Sequence, residues 1–415
     1  MTKKKLSWLL LFFLVIASTA TGTYFFLRNQ QPMRIGLHSP FAPNSTIKPL
    51  PLNEYSLSNL KSYDYQFSQL ELTQAIAQTD DFYTYLFSYQ TIGKNMTGVI
   101  NIPSQAKADN YSQKEFPVII MVRGYATKEQ YYPGFGTNHA AQTLAKNGYI
   151  TIAPDFFGFG ESDSEPEDSW KARFIKPINI IELIYTIKQN PIINIATNFT
   201  NSTTADNNQQ PIASPITLNP DQIGLWGHSN GGQITLSVLE ILSQPIPATI
   251  WAPMTAPFPY SILFFTDTNP DEGKESRAWL AMFERDYDVF DFSITQHLNQ
   301  LAGPLQIHHG SEDEAALQIW SNNFTEKIEL ENESRQNSLK EAENQPEATA
   351  TTQLKTDSNE GSLHNLVSSS QPTAMIEYFY YTYVGADHNL QPAENWNAAI
   401  TRDLNFFDKY LQDIK

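Results

Sequence analysis

Residues 221–240 read DQIGLWGHSNGGQITLSVLE, and this stretch decides the fold. The apolar run Ile223–Trp226 has strand length and stops at Gly227. From Gly231 the apolar positions recur at helical spacing. Between the two lies Gly227-His228-Ser229-Asn230-Gly231, a G-x-S-x-G pattern followed by another glycine, Gly232. On a sharp strand-to-helix turn, the residues two before and two after the serine must lack bulk, and the hydroxyl then stands above the sheet edge. The following helix points its N-terminus at the same place and favours negative charge there. A passive glycine-rich turn is the competing reading. The strand before and the helix after favour a nucleophile at Ser229.

Working outward, strand-like and helix-like segments alternate. FYTYLFSYQ from Phe82 and MTGVINIP from Met96 flank Gly93-Lys94 as a hairpin. FPVIIMVRG (Phe116–Gly124) is continuously apolar, as a strand buried on both faces would be. NHAAQTLAKNG reads as a helix capped by Asn138 and stopped by Gly148, and YITIAPD (Tyr149–Asp155) as the next strand. Lys176–Asn190 reads as a helix with Pro177 near its start. ATIWAP (Ala248–Pro253), PLQIHHG (Pro304–Gly310) and MIEYFYYTYVG (Met375–Gly385) continue the strands, and WNAAITRDLNFFDKYLQ is a closing amphipathic helix. Such alternation predicts an α/β protein with a mostly parallel sheet of about eight strands, covered by helices on both faces.

Three regions stand apart. Lys3-Lys4-Lys5 precede an uncharged run from Leu6 to Leu27, followed by Arg28. About 20 apolar residues span a bilayer, and the lysines predict a cytoplasmic N-terminus with an extracytoplasmic body. Residues 1–28 are therefore read as a transmembrane signal anchor. A signal peptide cleaved after Ser18-Thr19-Ala20 is the alternative, giving a secreted protein. Residues 29–81 read as stalk and N-terminal extension, leaving 82–415 as the catalytic domain. Within it, 192–218 and 322–372 are polar and read as surface insertions, the second disordered or partly helical.

The 415 residues carry a net charge of −17, are 41% hydrophobic and 17% charged, and include no Cys. The chain can bury a core. Its acidity argues against nucleic acid as a partner. Without Cys, disulfides, thiolate catalysis and zinc–thiolate sites are excluded.

A serine hydroxyl needs a base. Of eight histidines, His388 lies in YVGADHNL, after the last strand, where sites form in such sheets. His228 adjoins the serine but should point away as support. His308 reads as a packed strand residue, and His309, nearer the strand's edge, could face the site. The base needs an acid to fix its tautomer. LQIHHGSEDEAAL offers Asp313, with Glu312 second, whereas Asp387 more plausibly serves its own loop. An oxyanion needs two N–H donors. Asn230 supplies one, and Tyr125, after the close-approaching Gly124, supplies the other. Ordinary aromatic packing is the rival reading of Tyr125. A metal site at His308, His309 and Asp313 is disfavoured, because adjacent strand residues face opposite sides.

These stretches, with GYITIAPDFFGFGESD, come in the order of the α/β-hydrolase fold. The chain resembles the catalytic domain of prolyl oligopeptidase (S9) peptidases and dienelactone-hydrolase-like proteins over roughly residues 116–414. That resemblance implies a Ser229–Asp313–His388 triad cleaving an acyl bond without metal or cofactor. The usual His-Gly of the oxyanion strand is Arg123-Gly124 here, and residues 30–115 are too short for a β-propeller. The expectation is a membrane-anchored serine hydrolase acting on a small peptide or ester. Peptidase is favoured by resemblance; an esterase, or a non-catalytic binding module on the same fold, is the alternative. Residues 253–301 fit a lid or a packed wall equally.

Overall fold

Every apolar run of strand length quoted above becomes part of one sheet. In the computed structural model, residues 49–104, 115–193, 215–343 and 372–412 are described. The strands are β1 (Glu71–Gln78), β2 (Phe82–Thr91), β3 (Lys94–Pro103), β4 (Glu115–Val122), β5 (Ile150–Pro154), β6 (Ile192–Ile193), β7 (Ile216–His228), β8 (Ala248–Trp251), β9 (Leu305–Gly310) and β10 (Tyr378–Tyr383). Their order is β1-β2-β3-β5-β4-β7-β8-β9-β10, with β6 pairing β7. The β1, β2, β3 and β5 contacts are antiparallel; from β5 through β4, β7, β8 and β9 to β10 every pair is parallel. Ten strands replace the expected eight among the described residues, because a bulged edge strand and the two-residue β6 carry too weak a pattern to read.

The helices that matter for the site are α1 (Asn138–Lys146), α2 (Ser169–Phe174), α3 (Lys176–Gln189), α4 (Asn230–Leu242), α5 (Ser261–Thr266), α6 (Lys274–Asp286), α7 (Gln318–Glu343) and α8 (Ala393–Phe407). They divide between the two faces. Val118, Ile120 and Val122 of β4 enter one apolar cluster with α3 and α4. Ile119 and Met121 enter another with α1 and α8. This is the period-2 alternation of a strand buried on both sides. Asn138 is the first residue of α1 and Thr137 precedes it, without the expected side-chain cap.

The compact unit begins at Leu50, not at residue 82. Leu52, Tyr55, Leu57, Leu60, Tyr65 and Leu70 all enter the core, though the surrounding composition reads as a stalk. Likewise the start of the polar 322–372 stretch is helical. Phe324 and Ile328 of α7 are fully buried, and Arg335 donates to the Leu298 and Ala374 carbonyls. Residues 344–371, 194–214 and the expected anchor at 1–28 lie outside the described residues. Among the described residues no helix is long and apolar enough to cross a membrane.

Candidate active site

Ser229 sits where β7 hands over to α4, with φ 56° and ψ −122°. Positive φ is costly for a residue with a Cβ and persists only when its surroundings hold it. Here the backbone is pinned: Ser229 N donates to Trp251 O at 2.9 Å, and Ser229 O accepts from Gly232 N at 3.0 Å and Met254 N at 3.1 Å. The glycines answer to close approach. A Cβ on Gly231 would lie 2.0 Å from Val122 O, and one on Gly227 would lie 2.5 Å from Thr235 Oγ1. Gly231 thus lets the turn tuck against the end of β4, and Gly227 lets the first turns of α4 lie against the end of β7.

His388 follows β10, and Asp313 follows β9. Their loops are stitched together by Ser311 N to Tyr383 O (2.9 Å), Glu312 N to Ala386 O (2.9 Å) and Gly385 N to Ser311 Oγ (2.8 Å). His388 Nδ1 lies 2.8 and 3.0 Å from the two Asp313 carboxylate oxygens. Donation from Nδ1 leaves Nε2 as the acceptor nitrogen. Asp313 also accepts from Ala315 N at 2.9 Å and Ala316 N at 2.8 Å. Burial raises its pKa, but hydrogen bonds from His309 and His388 and the Ala316 N–H outweigh it and hold the carboxyl well below the usual range. Glu312, the second choice from the sequence, is exposed. Asp387 accepts from Asn389 N and Gln391 N, within its own loop.

Ser229, His388, Gly124, Tyr125 and Asn230 all line one cavity of about 870 Å³ at the carboxyl edge of the parallel strands. Among the described residues no hydrogen bond joins Ser229 Oγ to His388. Catalytic contacts of this kind commonly tighten only when substrate is bound. Tyr125 is 79% exposed, which removes the aromatic-packing reading. A Cβ on Gly124 would lie 3.0 Å from Ser229 Cβ, so the backbone of this loop does run beside the serine. Asn230 opens α4, whose first N–H groups have no partner inside the helix.

Three other histidines, His228, His309 and His308, make structural contacts. His228 Nε2 lies 2.9 Å from the His388 carbonyl oxygen and so holds the loop that carries His388. Burial, then the nearby His388, lowers its pKa to about 4, keeping it neutral. His309 does not face the cavity. It is buried behind the acid, with Nε2 2.6 Å from Ala316 O and 3.3 Å from Asp313 Oδ2, and Nδ1 2.8 Å from Ser321 Oγ. His308 points to the opposite side, as adjacent strand residues must, at 2.6 Å from Tyr383 OH and 3.0 Å from Asp403 Oδ1. Among the described residues no group of three or more His, Asp or Glu is arranged to hold a metal ion.

No family model matches the chain, and none of the curated proteins matches it. Solved structures do. An acetyl xylan esterase from Paenibacillus sp. R4 superposes with a TM-score of 0.50 at 12% identity, over 85% of this chain and 93% of that one. The alpha/beta hydrolase GrgF from Penicillium sp. sh18 gives 0.45 at 13%, over 79% of this chain and 99% of that one. A puromycin-hydrolysing peptidase from Mycobacterium tuberculosis gives 0.47 at 12%, over 83% of this chain but only 39% of that one. The present chain thus spans about two fifths of that peptidase.

The chain has the α/β-hydrolase fold.

Within this hydrolase fold, Arg123, noted in the sequence only as standing where a histidine is usual, has contacts that the sequence did not show. Arg123, at the end of β4, is buried. Its Nε and Nη2 donate to Asp155 O at 3.1 and 2.7 Å, and Nη1 donates to Gly124 O at 2.9 Å. The guanidinium also lies over Phe159, 4.2 Å from the ring centroid. In a trans peptide the carbonyl and N–H point opposite ways. Holding the Gly124 carbonyl therefore fixes the direction of the Tyr125 N–H. An arginine ending an otherwise apolar strand was the signal available in the sequence.

Proposed function

We propose that the chain is a serine hydrolase acting through an acyl-enzyme, with Ser229 as nucleophile, His388 as base, Asp313 as its orienting acid, and the Tyr125 and Asn230 N–H groups as the oxyanion hole. The observation that carries this is the Asp313-held imidazole lining the same cavity as a serine kept at positive φ. Ser229 Oγ attacks the substrate carbonyl, and its proton passes to His388 Nε2. The tetrahedral oxyanion takes the two N–H bonds. On collapse the leaving group departs with the proton from His388. Water then gives a proton to His388 as its oxygen attacks the acyl carbon, and on collapse His388 returns that proton to Ser229 Oγ, releasing the acid and the free hydroxyl.

A carboxylic ester is the bond we favour. The esterase neighbour is matched over 93% of its length. The peptide reading rests on the sequence resemblance to prolyl oligopeptidases. The run from Leu6 to Leu27 serves, in this proposal, as a membrane anchor that places the domain outside the cytoplasm. Labelling by a fluorophosphonate probe tests the chemistry: wild type should react and Ser229→Ala should not. Labelling of both, or of neither, would sink it. Rates on p-nitrophenyl esters and aminoacyl amides then distinguish the two bonds, and membrane fractionation of the full chain tests the anchor.

A further inference from the structure

Two cations line the wall of the cavity opposite any obvious need. Arg173 lies in the last turn of the short helix α2 and Lys176 opens α3, and both face the same 870 Å³ cavity as Ser229 and His388. Both are half-buried. Among the described residues neither makes an ion pair or a side-chain hydrogen bond. Each instead rests near an aromatic ring: Arg173 is 5.9 Å from the Phe258 centroid and Lys176 is 5.9 Å from that of Phe156. Burial, with Arg173 and Arg123 nearby, lowers the Lys176 pKa to about 8; burial lowers that of Arg173 too.

The platform under them is rigid. Asp168 caps α2 by accepting from Trp170 N at 2.8 Å and Lys171 N at 3.1 Å. Trp170 stacks on Trp279 of α6 with centroids 3.6 Å apart. Two carboxylates also line the cavity, Glu165 and Glu167, but both are exposed. Glu165 already lies 3.9 Å from Lys128 Nζ. Charges in water are screened, whereas half-buried ones are not. Arg173 and Lys176 are therefore less screened than the two carboxylates on this wall. Placing two unpartnered cations side by side and partly out of water is unfavourable unless something supplies the counter-charge. Met254, Ile262 and Phe265 add apolar surface to a wall that Ser169 and Thr266 also line.

We propose that Arg173 and Lys176 bind a free carboxylate on the substrate, so that this hydrolase takes esters carrying an anionic group joined to the scissile bond by an apolar spacer. This deepens the serine-hydrolase reading and rests on it. Arginine matches a carboxylate with two parallel N–H bonds, and lysine adds a point charge.

The test compares matched esters on the full chain. In one pair the carboxylate lies on the acyl side: 4-nitrophenyl hemiglutarate against its methyl-ester isostere. In the other it lies on the leaving group: 4-acetoxybenzoate against methyl 4-acetoxybenzoate. In at least one pair the anionic member should be preferred by about tenfold or more in kcat/KM, the worth of one charge-assisted hydrogen bond. That preference should fall toward unity in Arg173→Gln and in Lys176→Met, mainly through KM, and should be partly kept in Arg173→Lys. Equal rates within both pairs, or a preference untouched by Arg173→Gln in folded protein, would overturn the proposal and leave the hydrolase reading standing. A second readout separates the two. Calorimetry on Ser229→Ala should show monomethyl glutarate binding and dimethyl glutarate not. If that discrimination appears while no ester is hydrolysed, the anion site stands and the hydrolase reading falls. Without discrimination in either rates or binding, the anion site falls.

Discussion

Asp313 faces the His388 ring with both carboxylate oxygens, at 2.8 and 3.0 Å from Nδ1, while its neighbour Glu312 points into solvent. One residue along the loop reverses the role. The Asp313 carboxylate is further gripped by two backbone N–H groups, which fixes it before any substrate arrives.

Asp313→Asn should therefore lower turnover by about 10³- to 10⁴-fold, the effect of presenting the base in its wrong tautomer. Glu312→Gln should change it by no more than about twofold, as for a surface substitution. Steady-state rates on an activated ester decide this. Comparable losses in the two variants would reassign the acid.

Gly231→Ala should destabilise the fold. In an exposed helix the change would gain about 1 kcal/mol. Here the new methyl would sit 2.0 Å from Val122 O and 2.6 Å from Arg123 O, both backbone atoms that cannot step aside alone. A loss of at least about 2 kcal/mol is expected, with overpacking as the cause. Urea denaturation reads it directly, and an unchanged or raised midpoint would contradict the close approach.

Arg123→Lys keeps the charge but cannot hold the Gly124 and Asp155 carbonyls together. The Tyr125 N–H loses its fixed direction. We expect kcat to drop by about ten- to a hundredfold, short of the 10²–10³ for deleting an oxyanion donor outright, with KM changed less. A KM effect alone would show that Arg123 acts on binding rather than on the oxyanion loop.

Glu240 in α4 is fully buried, and neither carboxylate oxygen has a hydrogen-bond partner among the described residues. Burial drives its pKa well above the ordinary 4.5. The folded state thus keeps the proton that the unfolded chain releases above about pH 4.5. Stability from this group is full below that pH and falls as pH rises toward the folded pKa. Glu240→Gln cannot ionise. Relative to it, wild type should lose up to about 1.4 kcal/mol per pH unit across that window. Thermal unfolding between pH 4 and 8 measures the difference, and parallel curves for the two proteins would refute it.

What could be read from the sequence alone was local. Strand runs, helix stops and the G-x-S-x-G turn are written in spacing and in glycine, because backbone geometry within a few residues depends on neighbours in the chain. So the alternating architecture, the position of Ser229 and the placing of His388 after the last strand were legible. The extent of the unit was not: residues 50–70 look like a stalk by composition, yet their scattered apolar side chains find partners on α3 and α4 only after folding. Nor could sequence turn His309 inward behind Asp313, or show that Arg173 and Lys176 lack partners. Residues 253–301 likewise divide only in space: Phe283 and Phe292 fill the core, while Ile262 and Phe265 face the cavity. Burial and pairing depend on what distant strands bring to the same sheet edge, and that information belongs to the tertiary structure.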